Sequence, residues 1–180
     1  PFTTMRYLVA LLAIFVIFPA AANGQQYNFK VHEVDRVTGE EIIKTARFRT
    51  NNFAMNGQTN NIGAKYALYY DKGQWGMMLK MVTKNDYRGQ SPPPNEETQA
   101  IIDVAPERDD HEYYLDASPV YQKQVRGHTV TKYSIPMTEV EITEMQKARR
   151  VHIDLDGYIY EVGDYTMKPI IGRMKVTLRY

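Results

Sequence analysis

Residues 65–82, KYALYYDKGQWGMMLKMV, contain the strongest hairpin signal in the chain. With Lys72-Gly73 as a two-residue turn, Tyr70 pairs with Trp75. Side chains alternate across a strand, so one face of this pair collects its largest apolar groups. These are Tyr66, Leu68, Tyr70, Trp75, Met77 and Leu79. The opposite face is also mostly apolar, which is typical of strands at the centre of a layered structure.

Two further hairpins are predicted on either side of this one. Residues 27–49 alternate around the turn DRVTGE at 35–40. Near the C-terminus, Asp156-Gly157 is a favoured turn dipeptide that pairs Leu155 with Tyr158. The same register sets His152 opposite Glu161 on the polar face. The Asn- and Gly-rich residues 50–63 predict a loop.

One helix is predicted within SIPMTEVEITEMQKARR, residues 134–150. Thr138 followed by Glu141 is a capping box, in which each residue binds the backbone N–H of the other. The helix therefore covers about 139–149, and its single apolar stripe indicates that it lies on the sheet. The last residues, 172–180, alternate in polarity and predict a closing strand ending at Tyr180.

Together these elements predict a mainly β protein. Strands joined by tight turns pair antiparallel. The fold class is therefore an antiparallel β-sandwich or a partly open barrel, with one short α-helix at about 139–149.

The N-terminal residues predict export. Arg6 precedes an apolar run from Leu8 to Phe18, and the small residues at 20–22 follow Pro19. This is the pattern of a secretory signal peptide, and the run is too short to span a bilayer. We expect cleavage near Ala22 or Gly24, and Pro1 to Thr4 as an extension before Met5. Residues 1–22 are then extension plus signal peptide, and 23–180 a single periplasmic or secreted domain without a transmembrane helix.

The amino-acid composition excludes several kinds of functional site. The chain has no cysteine, so disulfides, thiolate zinc sites and cysteine nucleophiles are excluded. It has 22 basic and 21 acidic residues, and cleavage after residue 22 removes only Arg6 from that count. A net charge near zero does not favour nucleic-acid binding, so no nucleic-acid partner is expected.

Catalytic and metal-binding motifs are weak. The four histidines, at 32, 111, 128 and 152, lack the spacing of metal-binding pairs. No serine lies in a G-x-S-x-G motif. We therefore assign no metal site, cofactor or catalytic residue, although acids from distant strands could meet in the fold.

Aromatic residues supply the candidate binding site. Tyr69, Trp75, Tyr113 and Tyr114 could line a groove for a sugar or an apolar chain. The alternative is that these side chains pack the core of a sheet, since tyrosine is a common strand residue.

The layout of residues 65–162 adds a resemblance. A hairpin, a turn-rich stretch and a strand ending in proline precede PMTEVEITEMQKARRVHI, which leads to a D-G turn and another strand. This order resembles small periplasmic β-sandwich proteins of the invasion-associated locus B type, although this chain lacks their typical cysteines. The resemblance covers about half the chain and implies an exported, non-enzymatic β domain. It transfers no functional residues.

The sequence is compatible with three functions. The first is a soluble, non-catalytic binding or accessory domain of the cell envelope, with an envelope protein, glycan or lipid as partner. The second is a structural protein associated with the outer membrane, which the alternation ending at Tyr180 favours. The third is a hydrolase whose carboxylates come from separate strands.

Overall fold

A computed structural model describes residues 29–52, 61–84, 96–105 and 111–178. The predicted signal peptide and its cleavage position lie outside these residues, as do the last two positions of the predicted closing strand.

The described residues form one antiparallel sheet and two helices. The strands are β1 (Phe29–Val34), β2 (Glu41–Thr45), β3 (Phe48–Arg49), β4 (Asn51–Asn52), β5 (Asn61–Asp71), β6 (Gln74–Lys84), β7 (Thr98–Ala105), β8 (His111–Val125), β9 (His128–Met137), β10 (Arg150–Leu155) and β11 (Tyr158–Gly163). The helices are α1 (Glu139–Lys147) and α2 (Asp164–Thr177). The predicted mainly β class is confirmed.

The sheet order is β1-β2-β5-β6-β9-β8-β7-β10-β11-β4, and the sheet curls into a half-barrel. Residues 48–49 pair with β5, whereas residues 51–52 pair with β11. This short segment therefore bridges two strands that are far apart in the sheet order. Residues 51–52 and 61–63 belong to strands, so the loop predicted over 50–63 was wrong at both ends, because tertiary pairing overrides a weak local preference.

All three predicted hairpins are confirmed. Lys72 and Gly73 have φ angles of 49° and 92°, and Asp156 and Gly157 have φ angles of 53° and 80°. Two positive φ values in succession match the type I′ turn that suits the twist of paired strands. The registers follow as predicted, with Tyr70 opposite Trp75 and His152 opposite Glu161.

Helix α1 begins where the capping box predicts. The Thr138 hydroxyl accepts from the Glu141 N–H, and the Glu141 carboxylate accepts from the Thr138 N–H. Ile142 and Met145 are its buried residues.

The prediction of a closing strand at 172–180 was wrong, because the chain forms helix α2 as far as Thr177. Its buried residues, Met167, Ile170, Ile171 and Met174, recur at helical spacing. The alternation that predicted a strand involves Val176, which is 54% exposed. Packing of the helical stripe therefore decides the conformation of this segment.

The inner side of the half-barrel is the core, and the helices pack on it. The Tyr66 hydroxyl of β5 lies 2.8 Å from the Thr166 hydroxyl of α2. The two helices also contact one another. The core's largest fully buried side chains include Tyr66, Leu68, Met77, Leu79, Met81, Ile102, Tyr133, Ile135 and Tyr160. Groups that could meet a partner therefore lie mainly on the outer side.

Candidate functional site on the outer sheet face

The four predicted site residues do not share one surface. Trp75 and Tyr113 point to the inner side of the sheet, and Tyr69 and Tyr114 point to the outer side. The two outer tyrosines lie on β5 and β8, which are separated by β6 and β9. The structure therefore does not assemble the four into one groove.

The two inner aromatics have core environments. Trp75 is only 5% exposed and meets the Tyr70 ring edge to face, with ring centroids 5.1 Å apart. Tyr113 is partly buried beneath α1. Burial raises the pKa of its hydroxyl, and the negative charges of Glu144 and Glu141 add to the effect.

Tyr69 lies flat across the neighbouring strand. A Cβ atom added to Gly76 would come within 2.2 Å of the Tyr69 ring, so only glycine leaves room for this ring position. Beyond Gly76, the Tyr69 hydroxyl lies 3.0 Å from the Ser134 hydroxyl on β9. Tyr69 therefore ties three strands together on the outer face.

Tyr114 is the most exposed of the four, with 56% of its surface accessible. Its hydroxyl donates a hydrogen bond of 2.7 Å to the Glu112 carboxylate. That hydrogen bond, together with the negative charge of Glu112, raises the pKa of Tyr114. Its outward position is compatible with binding, but its polar end already has a partner.

A cluster of lysines occupies the neighbouring part of the outer face. We define the basic face as the outward-facing residues of β5, β6 and β9 together with those of β8 from Ser118 to Val125. Among these described positions there is a single acid, Asp71, at the β5–β6 turn. The lysines are Lys65, Lys80, Lys84, Lys123 and Lys132.

Three of these lysines form a row across neighbouring strands. Lys65 is directly opposite Lys80, and Lys80 is directly opposite Lys132. Neighbouring strands are about 4.8 Å apart, so the three backbones lie within about 10 Å of one another. Like charges that face each other across strands destabilise a sheet, and Lys80 meets one on each side. We call this the lysine row.

Apolar and aromatic groups border the lysine row. The next outward position along the strands places Val82 opposite Val130, and both are half-buried. Beyond Lys132, the Tyr121 ring lies 4.2 Å from the Lys132 ammonium in a cation–π contact. Tyr121 is 41% exposed and Val125 is 46% exposed. The basic face is therefore amphipathic.

Another part of the outer surface has the opposite charge. We define the acidic face as the outward-facing residues of β7, β10 and β11 together with those of β8 from His111 to Ala117. Arg150 is the single Lys or Arg among these described positions. The acids are Asp103, Glu112, Asp116, Asp154 and Glu161.

His152 lies between two of these acids. Its Nδ1 is 3.7 Å from Asp103 Oδ2 on β7, and its Nε2 is 3.4 Å from Glu161 Oε2 on β11. The side chains are between 18% and 30% exposed. An imidazole between two carboxylates combines the side-chain types that general acid–base catalysis uses. Sequence reasoning found the pairing with Glu161 but missed Asp103, because it did not predict that β7 lies beside β10.

Charged groups also line a depression of about 330 Å³ at the β1–β2 turn. Lys72 pairs there with Glu40 at 2.9 Å, and the Asp35 carboxylate accepts from the N–H groups of Val37 and Thr38. These backbone hydrogen bonds lower the pKa of Asp35. The charges of Asp35, Glu40 and Lys72 therefore already have partners at this turn.

Within the described ranges, no group of three or more His, Cys, Asp or Glu side chains is arranged to hold a metal ion. No helix in those ranges has both the length and the apolar character needed to cross a membrane. In comparisons with known proteins, the chain matches no family model, no curated protein and no solved structure.

Proposed function

We propose that the protein is an exported, non-catalytic binding or accessory domain of the cell envelope, and that the basic face is its binding surface. The lysine row is the single observation that carries this proposal. Lys65, Lys80 and Lys132 place three positive charges at directly opposed positions of neighbouring strands, an arrangement that an anionic partner would complement.

The placement of the core supports an outer binding surface. Helices α1 and α2 pack on the inner side, where Met167, Ile171 and Met174 of α2 are buried. On the outer face, by contrast, the lysines of the basic face are exposed or partly exposed. Lysine stems can pack along apolar neighbours while their ammonium groups stay in water, where a partner can reach them.

The localisation part of the proposal can be tested by expressing the full chain in a bacterium and fractionating the cells. We expect a mature form in the periplasm or medium, with mass spectrometry placing the new N-terminus after Ala22 or Gly24. Full-length chain retained in the cytoplasm would contradict export.

A hydrolase is a second candidate, because Asp103 and Glu161 approach His152 from two separate strands. This candidate predicts turnover of simple ester, glycoside or phosphate substrates. It also predicts that His152→Ala abolishes turnover while the thermal unfolding curve remains cooperative. Turnover that is unchanged in His152→Ala would come from another site or a contaminant and would eliminate this candidate.

A further inference from the structure

We propose that the basic face docks on the surface of a bilayer that contains anionic phospholipids. This inference rests on the proposed binding function and names the partner. It combines the two properties of the face, a concentrated positive charge and exposed apolar groups, and each property restricts the partner in a different way.

The charge restricts the partner to one that presents several anionic groups side by side. The lysine row displays three ammonium groups across three adjacent strands, and Lys123 and Lys84 extend the positive region along β8 and β6. A single small anion would meet part of this row only. Headgroups in a bilayer can move laterally, so several of them can gather against the row at once. Each lysine near such a surface contributes about fivefold to the partition constant.

The apolar groups favour a bilayer over a soluble polyanion. Val82 and Val130 lie beside the lysine row, and Val125 and Tyr121 on β8 are more exposed. A hydrophilic polymer would leave these groups in water. At the headgroup boundary, valine side chains can enter the apolar edge, while tyrosine and lysine keep their polar ends at the surface.

A second copy of the chain is a weaker fit, although its acidic face has the complementary charge. Asp103 and Glu161 on that face already flank His152. A contact between a basic face and an acidic face is also head-to-tail, so it extends into a chain of copies unless its rotation closes a ring. Self-association through these two faces would compete with binding to a bilayer.

The test measures binding of the processed protein to vesicles. Phosphatidylglycerol mixed with phosphatidylcholine is compared with phosphatidylcholine alone, in a co-sedimentation assay at low and high salt. We expect binding to the mixed vesicles only, and weaker binding at high salt because screening shortens the reach of surface charges. The combined variant Lys65→Gln, Lys80→Gln and Lys132→Gln should lower the partition constant about a hundredfold.

The matched control removes three lysines elsewhere. Lys30→Gln, Lys72→Gln and Lys147→Gln cause the same change in net charge, and all three side chains are exposed outside the basic face. This control should bind mixed vesicles within a few-fold of the unmodified protein. The row variant removes three like charges from neighbouring strands and the surface contact of Lys132 with the Tyr121 ring, so its thermal unfolding should remain cooperative.

An apolar variant separates the bilayer from a soluble polyanion. Val82→Thr with Val130→Thr should weaken binding to the mixed vesicles but leave binding to poly-L-glutamate unchanged. Three results would each overturn the inference. Binding to neutral vesicles could equal binding to mixed vesicles, or the two lysine variants could lose affinity for mixed vesicles equally. The protein could also bind poly-L-glutamate tightly without binding vesicles. Self-association that depends on the same lysines, measured by analytical ultracentrifugation, would also overturn it.

Failure here would be distinguishable from failure of the proposed function. A chain that is exported and processed but does not bind anionic vesicles would retain its envelope location and lose only the lipid partner. A chain that stays in the cytoplasm would contradict the proposed function, whatever its affinity for lipid.

Discussion

The basic face and the acidic face belong to one continuous sheet, yet the charged residue at the centre of each has different neighbours. On the basic face, Lys80 meets a lysine on each neighbouring strand. On the acidic face, the corresponding central position is His152, with an acid on each side. One face therefore sets like charges on neighbouring strands, whereas the other sets a histidine between its acids.

The separation of charge between the two faces is not visible in the overall composition. The chain has a formal net charge of only +1. Separation of the charges onto two faces gives each its own local potential, which governs association more directly than the sum does.

Gly76→Ala should disrupt the basic face most strongly. The added Cβ would overlap the Tyr69 ring, so Tyr69 must move and lose its contact with Ser134. We expect a loss of about 1–3 kcal/mol in the free energy of unfolding, measured by urea denaturation. In a Tyr69→Ala background, Gly76→Ala should cost much less. A full cost in that background would show that Tyr69 does not determine the need for glycine.

Alkaline pH should lower the free energy of unfolding through a tyrosine on the inner side of the half-barrel. Burial, followed by the negative charge of Asp156, raises the pKa of Tyr133 above its usual range. The folded state then holds the proton more tightly than the unfolded chain. Stability is therefore complete below about pH 10 and falls above it, by up to about 1.4 kcal/mol per pH unit.

Tyr133→Phe should flatten this alkaline decline, as followed by urea denaturation between neutral pH and the alkaline limit. Tyr158 lies beneath the acidic face, and burial likewise raises its pKa. Tyr158→Phe should flatten the decline less, because Tyr158 is 9% exposed and Tyr133 is fully buried. An unchanged slope in Tyr133→Phe would place the alkaline transition elsewhere.

Lys80→Glu should stabilise the protein. It converts two like-charge pairs, with Lys65 and Lys132, into two opposite-charge pairs. Each pair contributes a few tenths of a kcal/mol, so we expect a gain of about 1 kcal/mol. The gain should shrink at high salt, where exposed charges are screened. A loss of stability would mean that the row is not under repulsion.

His152→Glu should have the opposite and somewhat smaller effect. It would put a third acid between Asp103 and Glu161, reproducing on the acidic face the like-charge row of the basic face. We expect a loss of about 0.5–1 kcal/mol, measured by thermal or urea unfolding at neutral pH. His152→Gln, which adds no charge, is the matched control and should cost less.

Helix α2 shows why a single hydrophobic pattern can predict the wrong secondary structure. Residues 172–180 alternate in polarity, but Met167, Ile170, Ile171 and Met174 also repeat at helical spacing. Both patterns fit a short apolar segment. The helix forms because its stripe is buried against the sheet and α1, and that surface is not visible in the segment itself.

The candidate aromatics show a similar division. Trp75 was predicted both to pair with Tyr70 on a shared strand face and to be a candidate binding residue. The pairing is confirmed, and that shared face is the buried one. Tyr69, by contrast, lies outside, but glycine on the next strand determines its position. The type of residue predicted neither outcome.

The sequence alone determined the turns, the hairpin registers and the start of α1. These features depend on residues that are close in the chain, such as Asp156-Gly157 and the Thr138–Glu141 capping box, so local backbone preferences suffice. Tertiary structure decided which face is buried, the conformation of the last segment, and the neighbours of Lys80 and His152. Those depend on strand order, which is set by packing between residues far apart in the chain.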